Sequence, residues 1–229
     1  KEIKNFFILK KKLKGKKILI TAGPTIEAID AVRYLSNFSS GKQGYEIANC
    51  AYTYGAETIL ITGPTNIEAP EVNKIIKVES AEQMFNESMN ICKKYGSIDI
   101  AFLTAAVSDW KINKTEKKYK KNENIFKQIK FTENKDILHM ISNLRKSRPK
   151  IVCGFATETS SLINNARKKL INKNCDFIFA NKISKKFNPM GNDFNEISVI
   201  GKNNQKKWRK MTKKKIAEKI IQEVSLYLN

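Results

Sequence analysis

Six short apolar runs, spaced along the chain with helix-like stretches between them, constrain the fold more than any other feature of this sequence. They lie at 16–23 (KKILITAG), 57–63 (ETILITG), 74–78 (KIIKV), 99–106 (DIAFLTAA), 150–156 (KIVCGFA) and 176–181 (DFIFAN). Runs of this kind, β-branched and without polar alternation, suit strands buried on both faces. The intervening segments read as helices. KQGYEIANCAYTYGA closes on a Gly-Ala breaker, SAEQMFNESMNICKKYG opens on a serine cap and ends at Gly96, and SSLINNARKKLINKN is amphipathic. A last helix at roughly 212–228 puts Ile216, Ile220, Ile221 and Val224 on one face. Strands alternating with helices predict an α/β, Rossmann-like, doubly wound and mainly parallel sheet with helices on both faces. In such a sheet ligands sit beyond the carboxyl ends of the strands, so the loops after strands are where chemistry is expected.

Composition narrows the class. The 229 residues suffice for one sizeable core, and 12 phenylalanines argue against a disordered chain. No apolar run reaches the ~18 residues a membrane span needs. The opening tract, 1–15, reads as a linker ahead of a domain at 16–229. The four cysteines are scattered, with no C-x-x-C pair and a single histidine beside them. This argues against zinc and for reduced thiols in the cytoplasm. A net charge of +21 would suit a nucleic-acid binder. The basic residues are nevertheless dispersed through the whole chain and carry no recognised nucleic-acid motif, which favours solvated faces and a pull on small anions.

Four stretches stand out. In TAGPTIEAIDAVRYLSNFSSGKQG, a Gly-Pro-Thr turn is followed by Ser39, Ser40 and Gly41 ahead of a helix whose amino end can hold an anion, or which the serines simply cap. The glycine fingerprint of a dehydrogenase is missing after this strand, and so is the Walker signature; this weighs against a nicotinamide- or flavin-dependent reductase. In TAAVSDWKI, Asp109 follows a strand of small residues and suits a ribose hydroxyl, an amino group, a metal or a plain turn. In GFATET, Phe155 ends a strand, facing either a base or the core. NARKKLINKN sets Lys169 and Lys173 on one helical face, an arrangement that an intervening anion would favour.

Taken in order, ITAGPT, ID, VRYLSNFSSGKQGYEIA, GPT, AAVSDW, KYKK, ENKDIL, GFATET and ARKKLINKNCDFIFAN closely resemble the phosphopantothenoylcysteine synthetase family over about residues 16–226. That family resemblance implies a ligase that joins 4′-phosphopantothenate to L-cysteine, using CTP in the bacterial type. An acyl-cytidylate and pyrophosphate form first, and cysteine then displaces CMP. It further implies Mg²⁺, a homodimer, and a flavin-dependent decarboxylase fused upstream, with no flavin in this domain.

Residue by residue, the resemblance gives Asn37 the role of stabilising the acyl-cytidylate and serving its conversion. Lys118, or Lys117 if the register moves by one, assists activation from a flap-like segment around 112–131. Leu103, Thr104, Ala105 and Asp109 resemble the cytidine pocket, with Thr132, Glu133, Asn134, Lys135, Phe155, Lys169 and Lys173 as further nucleotide contacts. Arg33, Ser39, Ser40, Gly41 and Lys42 are expected near the substrate, and Asp109 is the candidate metal ligand. The chain departs from the family pattern at Ile26, Ala28 and Ala31, and in ENKDIL, where Glu133 and Lys135 replace a lysine and a proline.

Overall fold

A computed structural model describes residues 12–113, 115, 116, 118, 120, 129–185 and 187–228. Twelve strands and five helices are described: β1 Lys17–Ala22, β2 Ile26–Ala28, β3 Tyr34–Ser36, α1 Lys42–Thr53, β4 Glu57–Thr62, β5 Lys74–Lys77, α2 Ala81–Tyr95, β6 Ile100–Leu103, β7 Trp110–Ile112, β8 Phe131–Glu133, α3 Ile137–Ser142, β9 Ile151–Glu158, α4 Leu162–Lys173, β10 Phe177–Lys182, β11 Phe194–Gly201, β12 Gln205–Thr212 and α5 Lys213–Ser225. The six apolar runs become β1, β4, β5, β6, β9 and β10, all parallel neighbours in one eight-stranded sheet. The chain winds outward from β1 through β4 to β5, then crosses back to the other side of β1 for β6, β9 and β10. The order of winding therefore reverses between β1 and β6, and the loops after these two strands diverge there.

The core divides by side-chain parity. Ile18, Ile20 and Ala22 of β1 face a layer built from Ile47 and Ala48 of α1 and Ile216 and Ile220 of α5. Leu19 faces the opposite layer, with Met84 and Ile91 of α2, Ile141 of α3 and Ala166 of α4. This is the period-2 alternation of a strand buried on both sides. The packed region includes Leu13, fully buried with its N–H donating to the Tyr54 carbonyl at 3.1 Å, inside the tract that reads as a linker. A lone leucine among lysines carries no periodic signal.

The helix ends follow local chemistry. Ser80 and Gln83 form a reciprocal capping box on α2, which stops at Gly96 in the left-handed region. Thr212 caps α5. Helix α1 is different: it starts behind Gly41, at φ 73°, with no side-chain cap. A Cβ at Gly44, in its first turn, would collide with Thr104 Oγ1 and with Ala22. The absence of a side chain there lets the helix start press against the loop after β6.

The antiparallel pair β11 and β12 extends the sheet edge and is not foreshadowed by a run. In β12, QKKWRKMT, Trp208 is the one buried residue among exposed lysines and an arginine, so no alternation marks the strand. The expected strand at 99–106 ends at Leu103, and the remaining residues turn into the site.

Candidate active site

Two adjoining clefts open at the switch between β1 and β6. The first, about 530 Å³, lies between the loop at 37–44 and the segment at 188–191. The second, about 520 Å³, lies between the loop after β6 and the approach to α3. Each is of the size that holds a small-molecule ligand. They share a wall formed by Ala105, Val107, Asp109, Phe155 and Lys169.

The second cleft gathers Leu103, Ala105, Asp109, Glu133, Asn134, Lys135, Phe155, Lys169 and Lys173 from the expected nucleotide set. Thr104 lines the first cleft instead, with its hydroxyl donating to the Thr21 carbonyl. Thr132 is exposed on the short β7–β8 ladder and lines neither. Asp109 is exposed, and its carbonyl accepts the Asn134 N–H at 2.8 Å. Phe155 serves both of its readings. It is half-buried, packs on Phe179 with ring centroids 5.3 Å apart, and still faces both clefts.

The two lysines of α4 share a face but are not equivalent. Lys173 is paired with Asp136 at 2.7 Å. Lys169 donates to the Phe155 carbonyl at 2.9 Å. Burial lowers the Lys169 pKa, with Asp136 raising it and Lys173 lowering it again. Burial alone would raise Asp136, but the His139 N–H and the Lys173 and Lys169 charges hold it below the ordinary range. One carboxylate of the cleft lining thus pairs with Lys173 and acts on Lys169 at longer range.

In the first cleft stand Asn37, Ser39, Ser40, Gly41 and Lys42. The Asn37 amide donates to the Val107 carbonyl at 2.9 Å, beside the shared wall. The Ser39 and Ser40 hydroxyls accept the Gly41 and Lys42 N–H groups at 3.3 and 3.4 Å, so they shape the loop leading into α1. Lys42 is ion-paired with Asp193 at 2.5 Å. Arg33 lies at neither cleft; its guanidinium is 3.6 Å from Asp30, whose carboxylate also accepts the Val32 and Arg33 N–H groups at 2.8 Å. Lys118 is exposed and lines neither cleft, and Lys117 lies outside the described residues. The flap-like segment is anchored at both ends by the pairing of β7 with β8. Among the described residues no cluster of three carboxylate, histidine or cysteine side chains is placed to hold a metal, so Asp109 stands without companions.

The structure adds residues that the sequence left unassigned. Trp110 and Asp136 line the second cleft, and Asn181, Asn195 and Lys213 line the first. Trp110 sits inside a quoted motif, and Asn181 ends a predicted strand. Lys213 is one lysine in a run of three and carries no signal of its own.

A doubly wound sheet with paired clefts at its switch point defines an α/β protein of the Rossmann type. Comparison with known sequences is more specific. Residues 13–227 match the model of the DNA/pantothenate metabolism flavoprotein C-terminal domain, and the chain belongs to that family. It is 41% identical over 223 residues to the coenzyme A biosynthesis bifunctional protein CoaBC of Borreliella burgdorferi, covering 96% of this chain and 55% of that protein. It is 38% identical to the Haemophilus influenzae CoaBC, covering 97% of this chain and 54% of that one. The chain therefore spans about half the length of the curated relatives it matches. A crystal structure of the C-terminal domain of a CoaBC protein superimposes with a TM-score of 0.78 at 33% identity, covering 95% of this chain and 98% of that one.

Proposed function

We propose that the chain is a phosphopantothenate–cysteine ligase, joining 4′-phosphopantothenate to L-cysteine with CTP and releasing CMP and pyrophosphate. The observation that carries this reading is the shared wall. A reaction that transfers a nucleotidyl group to a carboxylate needs an acid site and a nucleotide site that meet at one point, and here two clefts meet at Asp109, Val107 and Lys169. The second cleft suits the nucleotide. The first suits the acid, whose carboxylate reaches the wall beside Asn37.

The chemistry follows from charge. A carboxylate is a poor acyl donor until its oxygen carries a good leaving group. Its attack on the α-phosphate brings two anions together, and Lys169 and Lys173 supply the positive field at the second cleft. Lys118, which lines neither cleft, has its part in activation from the family resemblance alone. The amide of Asn37 then donates to the oxyanion that forms when the cysteine amine adds. Asp109 would offer one carboxylate to a magnesium ion brought in with the nucleotide, which would supply charge neutralisation at the phosphates, since the described residues build no cage of their own.

We also read the assembly as a cytoplasmic homodimer, fused or partnered to an upstream decarboxylase. Val32, Tyr34 and Phe38 are 61, 58 and 91% exposed around the β2–β3 hairpin and offer an apolar face. No described helix is long and apolar enough to cross a membrane.

The test is pyrophosphate release from CTP by the purified chain. Release that depends on phosphopantothenate, with ligated product when cysteine is added, supports the reading. Salt-sensitive DNA retention without such release would favour a nucleic-acid binder. Replacing CTP by ATP measures how strict the pyrimidine pocket is.

A further inference from the structure

Lys213 is placed where a positive charge is disfavoured three times over. It is 5% exposed, although a lysine is rarely this buried without a partner charge. It opens helix α5, whose amino end is itself the positive pole of the helix. The Lys42 ammonium also bears on it. Burial and Lys42 both lower the Lys213 pKa, while Asp193 pulls it back. Its ammonium donates to a neutral group, the Pro189 carbonyl, at 3.0 Å. Among the described residues no carboxylate lies within ion-pair distance of it, because Asp193 is engaged by Lys42.

The surroundings are basic and lie on the first cleft. The start of α1 has no side-chain cap. Gln43, next to Lys42, donates its amide nitrogen to the Lys213 carbonyl at 3.2 Å and so ties the start of α1 to the start of α5. Lys42, Gln43 and Lys213 line the first cleft together with the 189–191 turn. One carboxylate, Asp193, is paired with Lys42 and acts on Lys213 only at longer range.

We propose that Lys213 binds the phosphate of the acid substrate in the first cleft, and that Asp193 is the resident counter-ion of Lys42 which this phosphate displaces. The inference rests on the ligase reading, since an acid with its carboxylate at the shared wall must place its far end elsewhere in the cleft. A phosphate dianion satisfies the ammonium groups that the protein leaves with one carboxylate between them. Asp193 is exposed, so releasing it to water costs little, and Lys42 then turns to the ligand.

The experiment is calorimetric titration of 4′-phosphopantothenate and of unphosphorylated pantothenate into the purified chain without nucleotide, followed by ligation kinetics. Lys213→Gln is expected to weaken phosphopantothenate binding and raise its KM by about ten- to a hundredfold, the worth of one hydrogen bond to a charged group. The KM for CTP and the weak binding of pantothenate should stay unchanged. Lys213→Arg should recover most of the loss. Asp193→Asn, a surface change that does not depend on the fold tolerating a new core residue, should tighten phosphopantothenate binding several-fold. Equal losses for both acids, or an Asp193→Asn protein indistinguishable from wild type, would overturn the proposal. Wild-type protein that binds the phosphorylated acid through Lys213 yet makes no product with CTP would sink the ligase reading and leave this one standing. Ligation indifferent to both substitutions does the reverse.

Discussion

The Asn37 side chain bridges to the Val107 carbonyl at 2.9 Å, although the two residues are 70 positions apart. One belongs to the loop that leads into α1 and the other to the loop that leaves β6. The bond therefore stitches the two sides of the switch point at the line where the clefts meet. It exists because β1 and β6 are parallel neighbours, so that both loops emerge from the same sheet edge.

If the second cleft holds the nucleotide, its occupancy should be visible in tryptophan emission. Trp110 is 47% exposed and lines that cleft, whereas Trp208 is 8% exposed beneath α5 at the far edge of the sheet. CTP should therefore change the emission of one tryptophan and not the other. Trp110→Phe is expected to abolish the response and Trp208→Phe to leave it. A response that survives in Trp110→Phe would remove the nucleotide from this cleft.

Five of the six parallel strands were legible in the sequence because a strand buried on both faces has few polar residues to blur it, as Leu60 and Phe102 show. β5, expected to be buried on both faces, is instead an exposed edge strand whose lysines point to its position. The antiparallel edge pair was not legible, because β12 shows lysines to solvent and mimics a basic loop. At the site, Asp109, Phe155 and Lys169 were legible since each follows a recognisable strand or helix pattern. That Lys173 is answered by Asp136 was not, because the pairing crosses 37 positions and depends on how α3 sits against α4. Lys213 was hidden for the opposite reason. In KKK, burial selects one of three identical letters, and burial is a property of packing alone.

The carboxyl groups near the site should respond to pH in opposite senses. Burial raises Glu27 above its ordinary 4.5, against hydrogen bonds from the Ala81 N–H and the Asn134 side chain and the charge of Lys111. A raised folded pKa favours the protonated form, so Glu27 stabilises the fold below its unfolded pKa and withdraws that help as pH rises through the folded one. Asp136, held below 3.8, stabilises above that value and loses its contribution as pH falls through the lowered one. Glu27→Gln, which keeps an oxygen for the Ala81 N–H, is expected to gain thermal stability relative to wild type at pH 7 and little at pH 4. Asp136→Asn should lose stability at pH 7 and much less at pH 3. Thermal melts across this range decide both, and an Asp136→Asn deficit that persists undiminished in acid would contradict the assignment.

The cysteines should be silent in the folded chain. All four are free and buried. Burial pushes Cys50 and Cys175 up to about 12 and Cys92 to about 11, and raises Cys153 well above 9.0. A thiol so raised holds almost no thiolate at neutral pH, and the thiolate is the reacting species. Native protein at pH 7.5 should show negligible uptake of an alkylating reagent over an hour, and all four sites should react in denaturant. Rapid labelling of one cysteine in the native protein would show that its wall opens.

Substitution at Asn37 should separate the two half-reactions. An asparagine amide carries two N–H donors. One is engaged by Val107, while the Ala106 carbonyl sits at a marginal 3.5 Å, so the second donor is only weakly held, on the first cleft beside the shared wall. In the ligase reading that donor meets the oxyanion which forms as cysteine adds to the acyl-cytidylate. Asn37→Asp replaces both donors by a carboxylate and sets a negative charge where the intermediate develops its own. Activation takes place at the nucleotide phosphate in the neighbouring cleft and should suffer less. The transfer step is therefore expected to slow by about a hundred- to a thousandfold, the usual effect of losing one oxyanion donor. Acyl-cytidylate should accumulate, seen by mass spectrometry or as a pyrophosphate burst without matching product. The bridge to Val107 supplies the rival account, in which Asn37 only aligns the two loops. In that case Asn37→Asp would lose both half-reactions equally and build up no intermediate. Equal losses in a variant that melts like the wild type would leave Asn37 as a brace between loops and take it out of the chemistry.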